Sequence, residues 1–283
     1  MGWLDWLRVW RGETTAPATI PDMLWSDALK RLPFLGYLTP ADKQRLKSTT
    51  EQLLHKKPFS GSAGLELSDA MAVLIAAQAA LLVLNLSLEL YSDLSAVIVT
   101  PDAFPIRQHI IDDSGVVHEW EEMLAGEAVD LGGAVLLSWP DIAPADMHQH
   151  GDHNVVLHEF AHKIDMGRGG ANGYPPFLAG LHTREEFNDW PQAFGAAYED
   201  FCQRVDRMED GLPADFDPDS PLHADLYDAR AADLPLDPYA SRDPAEFFAV
   251  ASEAFFVSPE NLAAAYPRIF ALLAAYYRQN PLA

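Results

Sequence analysis

From Ala70 to Leu84 every residue except Gln78 is apolar. A helix that is hydrophobic all round has to be buried on every side, in a protein core or in lipid. Fifteen helical residues span about 22 Å, short of the ~30 Å hydrocarbon core of a bilayer. The stretch therefore predicts a buried core helix within residues 66–90, with Ser68 or Asp69 near its N-cap. The rest of the fold must surround it. Apolar residues make up 49% of the chain, which is typical of a globular protein and too high for an acidic disordered one. The chain has 283 residues, and at roughly 100–200 residues per domain this means one or two domains.

The other segments read as follows. Residues 1–60 are helical and polar, with turns at Pro33, Pro40 and Pro58. Trp3, Trp6, Leu7 and Trp10 fall on one face of a short helix that packs against the domain. Ala96–Thr100 and Ala134–Trp139 are β-branched or apolar runs that stop at Pro101 and Pro140, and read as strands. Helices are expected over 154–166 and 185–209, then 244–257 and 260–279. Residues 211–243 are rich in Pro and Asp and show no period. Few strands among many helices predict an α+β architecture with a small sheet.

Charge and cysteine content exclude several classes. Forty-two acidic residues against 19 basic ones give a net charge of −23. Phosphate binding needs clustered Lys and Arg, so a nucleic-acid binder is excluded, and docking on an anionic membrane is disfavoured. Cys202 is the only cysteine, which rules out an intrachain disulfide and a thiolate-rich metal site. The start, Met1-Gly2-Trp3-Leu4-Asp5-Trp6, lacks the shape of a secretory signal. The expectation is a cytoplasmic protein.

The residues that carry chemistry are His158-Glu159-Phe160-Ala161-His162. With ten His and sixteen Glu in the chain, random placement would produce HExxH with a probability of about two per cent. On a helix the two histidines lie at i and i+4, on one face and one turn apart. Imidazoles at that spacing can hold one Zn²⁺ at ~2.0–2.1 Å each. Such an ion lowers the pKa of a water it holds from 15.7 to about 7, and the neighbouring Glu159 can take the proton. Val155, Val156, Leu157 and Ile164 give the helix an apolar side, Asn154 or Asp152 can cap its start, and Gly167 can end it. His118-Glu119 makes no such motif, because Glu122 stands where a second His is needed.

A catalytic zinc site needs a third protein ligand. The extended pattern HExxHxxGxxH fails here, with Asp165 and Arg168 at the two required positions. The next source is the apolar stretch from Asp243 to Phe256. Its Glu246 and Glu253 are seven apart and share a helix face. Asp243, Pro244 and Glu246 also have the spacing of a capping box, in which Glu246 would only complete a helix start. Spacing alone does not choose between Glu246 and Glu253.

Several stretches together carry a family resemblance. They are Lys57-Pro58-Phe59-Ser60-Gly61 leading to Gly64-Leu65-Glu66-Leu67, Ile75-Ala76-Ala77-Gln78-Ala79, Val135 to Trp139 with Asp141, and Asn154-Val155-Val156-Leu157 running through the HExxH to Lys163-Ile164-Asp165. Glu246-Phe247-Phe248-Ala249-Val250 with Ser252-Glu253, and Tyr277-Arg278-Gln279-Asn280-Pro281, complete the set. The chain resembles the Mlc titration factor A family, the glucose-regulated metallopeptidases of bacteria. That family is similar to the catalytic domain of anthrax lethal factor, where a Tyr precedes a metal-binding Glu by seven residues. Tyr239 stands seven before Glu246.

The resemblance implies a zincin-like catalytic domain over 91–283, an N-terminal helical region over 1–90 packed on it, and Zn²⁺ held by His158, His162 and Glu246. It also implies Glu159 as general base, Tyr239 as donor to the oxyanion, and Asp165 and Glu253 as supports that orient the His ligands or the site helix. A peptide substrate is expected, bound in extended form along the strand near 134–139, and also a transcriptional repressor of the Mlc type as protein partner. The alternative is a non-catalytic protein that sequesters the repressor. Eighty-three residues separate His162 from Glu246, and within them 211–243 reads as an acidic insertion: a lid, a specificity loop or a tolerated surface segment, with His223 a solvated loop histidine. Residues 199–246 hold fourteen acidic residues and four Arg, a local 4 − 14 = −10.

Overall fold

A computed structural model describes residues 19–102, 104–111, 117–124, 126–127, 133–143, 153–213, 215–216 and 220–283. The expected aromatic face at Trp3–Trp10 and the alternative cap Asp152 lie outside these residues. In chain order the elements are α1 (Asp22–Arg31), α2 (Pro40–Lys56), β1 (Phe59–Gly61), α3 (Asp69–Leu82), β2 (Val97–Thr100), β3 (Phe104–Ile111), β4 (Val117–Leu124), β5 (Gly126–Glu127) and β6 (Val135–Ser138). There follow α4 (Trp139–Ile142), α5 (Val155–Asp165), α6 (Arg184–Glu209), α7 (Pro221–Ala231), α8 (Pro244–Val257), α9 (Pro259–Ala265) and α10 (Pro267–Tyr277). The architecture is α+β and mostly helical.

The apolar run forms α3. All of its residues except Ala70 are buried, and α1, α2 and α5 pack around it. Ser68 caps it by accepting a hydrogen bond from the Met71 N–H at 3.3 Å. The helix is shorter than the expected 66–90 because polar side chains beyond Leu82 take other partners. Asn85 donates to the Arg278 carbonyl, and Ser87 caps a separate short turn at Leu88–Tyr91. Burial of each large aliphatic side chain contributes about 1.5–3 kcal/mol, so this helix organises the core. Core residues from Ile20 to Tyr277 form one contiguous cluster. No helix among the described residues is long and apolar enough to cross a membrane.

The main sheet has the order β1-β2-β6-β5. Its first three strands are parallel, with Phe59 opposite Val97 and Val97 opposite Val135. Val97, Val99, Val135 and Leu137 are buried, as a strand covered by helices requires. β5 runs antiparallel to β6 and pairs with Leu136 and Leu137. The strand expected near 134–139 is therefore flanked on both sides, and the edge strands of the sheet are β1 and β5. β3 and β4 form a separate antiparallel pair.

Two further differences from the sequence reading have local causes. The acidic segment contains a helix, α7, which begins with Pro221 at its first turn; it has no clear period because no single apolar stripe faces a core. His223 lies on this helix and stacks on Phe216, rather than on a solvated loop. The expected final helix over 260–279 is two helices, divided before Pro267. A proline lacks the N–H that helix continuation needs and its ring clashes with the preceding turn.

Candidate metal centre

The HExxH residues lie on α5, whose start is set by Asn154. The Asn154 side chain accepts from the Leu157 N–H at 3.0 Å, and its amide donates to Gln78 Oε1 of α3 at 2.8 Å. Gln78, the polar residue in the middle of the core helix, thus anchors the cap of the site helix. The other end passes Gly167 and a short turn at Met166–Arg168, and the left-handed residue is Gly169, at φ +118°. Every residue of α5 is buried.

Glu246 and Glu253 come from α8, which packs directly on α5. Asp243 caps α8 by accepting from the N–H groups of Ala245 and Glu246 at 2.8 and 3.0 Å. The Glu246 carboxylate is directed to the histidines. The rotation of α8 is held by its aromatic side chains. Phe247 packs edge-on against Phe194 at 5.2 Å, and Phe255 stacks on Tyr277 at 5.8 Å. With those rings in the core, both glutamates face α5.

Three donor atoms converge. His158 Nε2 and His162 Nε2 are 3.1 Å apart. Glu246 Oε2 lies 3.0 Å from each. Tetrahedral ligands at ~2.0–2.1 Å from a metal stand about 3.3 Å from one another, so this triad has the spacing of a divalent-cation site. Two imidazoles and one carboxylate with no thiolate are also the right donor chemistry for such an ion. Among the described residues these three form the one group of His, Cys, Asp and Glu able to hold a metal.

Glu253 takes the opposite side of His158. Its Oε1 lies 2.6 Å from His158 Nδ1, and its Oε2 accepts the Asn154 N–H at 2.5 Å. The second histidine is less supported, since His162 Nδ1 has no hydrogen-bond partner among the described residues. Asp165, expected from the resemblance to orient the histidines or the site helix, accepts the N–H groups of Asn172 and Gly173 at 2.6 Å each. It ties the loop after α5 to the helix end. Gly173, at φ +79°, leaves no room for a Cβ beside Pro244, so the same loop sits against the start of α8.

The electrostatics favour a cation. Burial alone would raise the Glu246 pKa, but hydrogen bonds from His158 and His162 outweigh it and hold the carboxyl well below the usual range. Glu253 behaves likewise: burial opposes, His153 and His158 prevail, and the carboxyl is held at about 2. Burial works against protonated His158, yet Glu246 and Glu253 keep its pKa well above the ordinary value. Glu159 differs. Burial dominates and pushes its carboxyl up to about 7, and its Oε2 has no hydrogen-bond partner among the described residues.

Tyr239 lies on a short turn, Pro238–Ser241, packed on α8. Its ring centroid is 6.0 Å from that of His158, and its hydroxyl oxygen accepts from Arg242 at 3.1 Å. The structure thus brings His158, His162, Glu246 and Tyr239 together, and Glu159 follows His158 on α5. Gln78 and His153 are the contributors that reading missed. A lone amide in an otherwise apolar buried helix was the available signal for Gln78, because a buried amide must be hydrogen-bonded.

The chain is 34% identical over 281 residues to an uncharacterized protein of Synechocystis sp., covering 99% of this chain and 90% of that one. It is 32% identical over 260 residues to Mlc titration factor A of Yersinia pestis, covering 92% of this chain and 85% of that protein. Mlc titration factor A of Yersinia pseudotuberculosis matches at the same identity and coverage. The family described as glucose-regulated metallo-peptidase M90 matches residues 6–278. With that match over nearly its whole length, the chain belongs to the glucose-regulated metallo-peptidase M90 family.

Proposed function

We propose that the protein is a zinc-dependent peptidase in which His158, His162 and Glu246 hold the ion, Glu159 is the general base and Tyr239 donates to the oxyanion. A His₂Glu set is a recurrent catalytic zinc site. When bound, zinc supplies Lewis-acid polarisation of a carbonyl and makes water more acidic at neutral pH. The observation that carries the reading is Glu159: a buried carboxylate beside the donor triad whose Oε2 has no hydrogen-bond partner among the described residues. Burial that raises its basicity suits a group that takes a proton from water and returns it to the leaving amine. The Tyr239 hydroxyl donates to the developing oxyanion, and the Arg242 N–H on its oxygen makes that proton more readily shared. An extended peptide adds at the β5 edge, since β6 is already paired on both sides.

The test is metal removal. Chelation is expected to abolish hydrolysis of a mixed peptide library, and added Zn²⁺ to restore it. Turnover that persists in the metal-free protein would overturn the proposal. The local charge of −10 over residues 199–246 adds a preference. At low salt, Lys-rich peptides are expected to be cut faster than matched Glu-rich ones, by roughly tenfold or more through steering. Equal rates would remove that idea.

A second reading rests on the relatives named Mlc titration factor A. On it, the protein also binds a repressor of the Mlc type. A chain of charge −23 would steer toward a basic DNA-binding face. Both roles are compatible in one molecule.

A further inference from the structure

The side of His158 turned away from Glu246 is held by a short relay. Glu253 Oε1 engages His158 Nδ1 at 2.6 Å. Glu253 Oε2 lies 3.3 Å from His153 Nδ1. Glu253 is 2% exposed, and a buried carboxylate is tolerated only when its oxygens are supplied with donors. The His153 side chain, by contrast, is 42% exposed. It stands with Glu253 in the wall of an open cavity of about 870 Å³, bounded also by Leu234, Asp237 and Val250.

A metal-ligating histidine almost always donates its other ring N–H to a carboxylate or carbonyl, which fixes its tautomer and orientation. Among the described residues only one histidine of the site has such support, because His162 Nδ1 finds no partner there. The preorganisation of the centre therefore depends on how rigidly Glu253 is held. We propose that His153 is a positioning residue of the metal centre: it fixes the Glu253 carboxylate, which in turn keeps His158 Nε2 turned toward His162 and Glu246. This inference rests on the proposed role of His158 as a ligand.

The experiment compares zinc dissociation constants, measured by competition with a chromophoric chelator, and the visible absorption of the cobalt-substituted protein. Loss of an outer partner of a ligand costs about 10–100-fold in metal affinity, and Glu253→Gln is expected in that range. His153→Ala, one link further out, is expected to weaken zinc about 3- to 10-fold and to alter the cobalt spectrum. His153→Asn, which places an amide donor near the Nδ1 position, is expected to restore both. Combining His153→Ala with Glu253→Gln should cost no more than Glu253→Gln alone, because both act through one contact.

Wild-type affinity and spectrum in His153→Ala, an additive double variant, or no rescue by Asn would each overturn the inference. Should His153→Ala fail to fold, His153→Phe keeps the ring volume without Nδ1 and carries the same comparison. Glu246→Ala separates the two levels. If it too binds zinc as the wild type does, the ligand assignment has failed. If it loses zinc while His153→Ala does not, only the relay has failed.

Discussion

Glu159→Gln is expected to lower peptide turnover by about 10²–10⁴-fold, the contribution usual for a positioned acid–base group, while zinc content and melting temperature stay close to the wild type. The substitution keeps shape and volume but removes the capacity to accept a proton. Stability should survive because Glu159 Oε2 has no hydrogen-bond partner to lose among the described residues. Burial also already pushes the carboxyl up to about 7, so a neutral amide is not foreign to its surroundings. Steady-state kinetics beside metal analysis would check this. Retained turnover in a zinc-loaded Glu159→Gln protein would exclude Glu159 as the base. The same variant separates the two proposed roles, since repressor binding measured by pull-down should persist where hydrolysis does not.

Glu246→Ala is expected to remove zinc binding, by more than the roughly 100-fold that marks loss of an outer partner. Glu253→Ala should weaken it by about 10–100-fold and leave a loadable site. The difference follows from which nitrogen each carboxylate meets. Glu246 lies 3.0 Å from both Nε2 atoms, whereas Glu253 meets His158 at Nδ1, on the far side of the ring. Removing Glu246 deletes a donor from the triad. Removing Glu253 leaves three donors but frees the His158 ring to turn. Full zinc in Glu246→Ala together with loss of zinc in Glu253→Ala would reverse the assignment.

Much of the site was readable because its first half is local. Two histidines at i and i+4 meet on one face of any helix, and Asn154 stands where an N-cap must stand. The buried helix α3 was readable for a similar reason: an uninterrupted apolar run has one outcome in water. Where the reading fell short, the missing information was tertiary. Residues 104–124 carry no assigned element in the sequence reading, yet β3 and β4 pair there; Asp112-Asp113-Ser114-Gly115 between two β-prone runs was the available turn signal. β6 looked like an edge because nothing in its own residues says that Gly126 and Glu127 pair with it.

The sequence by itself determined the HExxH helix, the core helix that packs on it, the absence of thiolate ligands and the acidity of the segment before Glu246. These are matters of period, composition and short-range spacing. Only the tertiary structure set Glu246 Oε2 3.0 Å from both Nε2 atoms and turned Glu253 to the Nδ1 side of His158. Seven residues apart on one helix, the two are nearly eclipsed, so rotation about the helix axis cannot distinguish them. What distinguishes them is where α8 crosses α5, and that is set by Phe247, Phe248 and Phe255 packing against α6 and α10. The same crossing brings Glu253 to His153 and Asn154, and Gln78 reaches Asn154 from α3 across seventy-six positions of chain. Contacts of that separation arise from close packing of whole elements, and no local pattern encodes them.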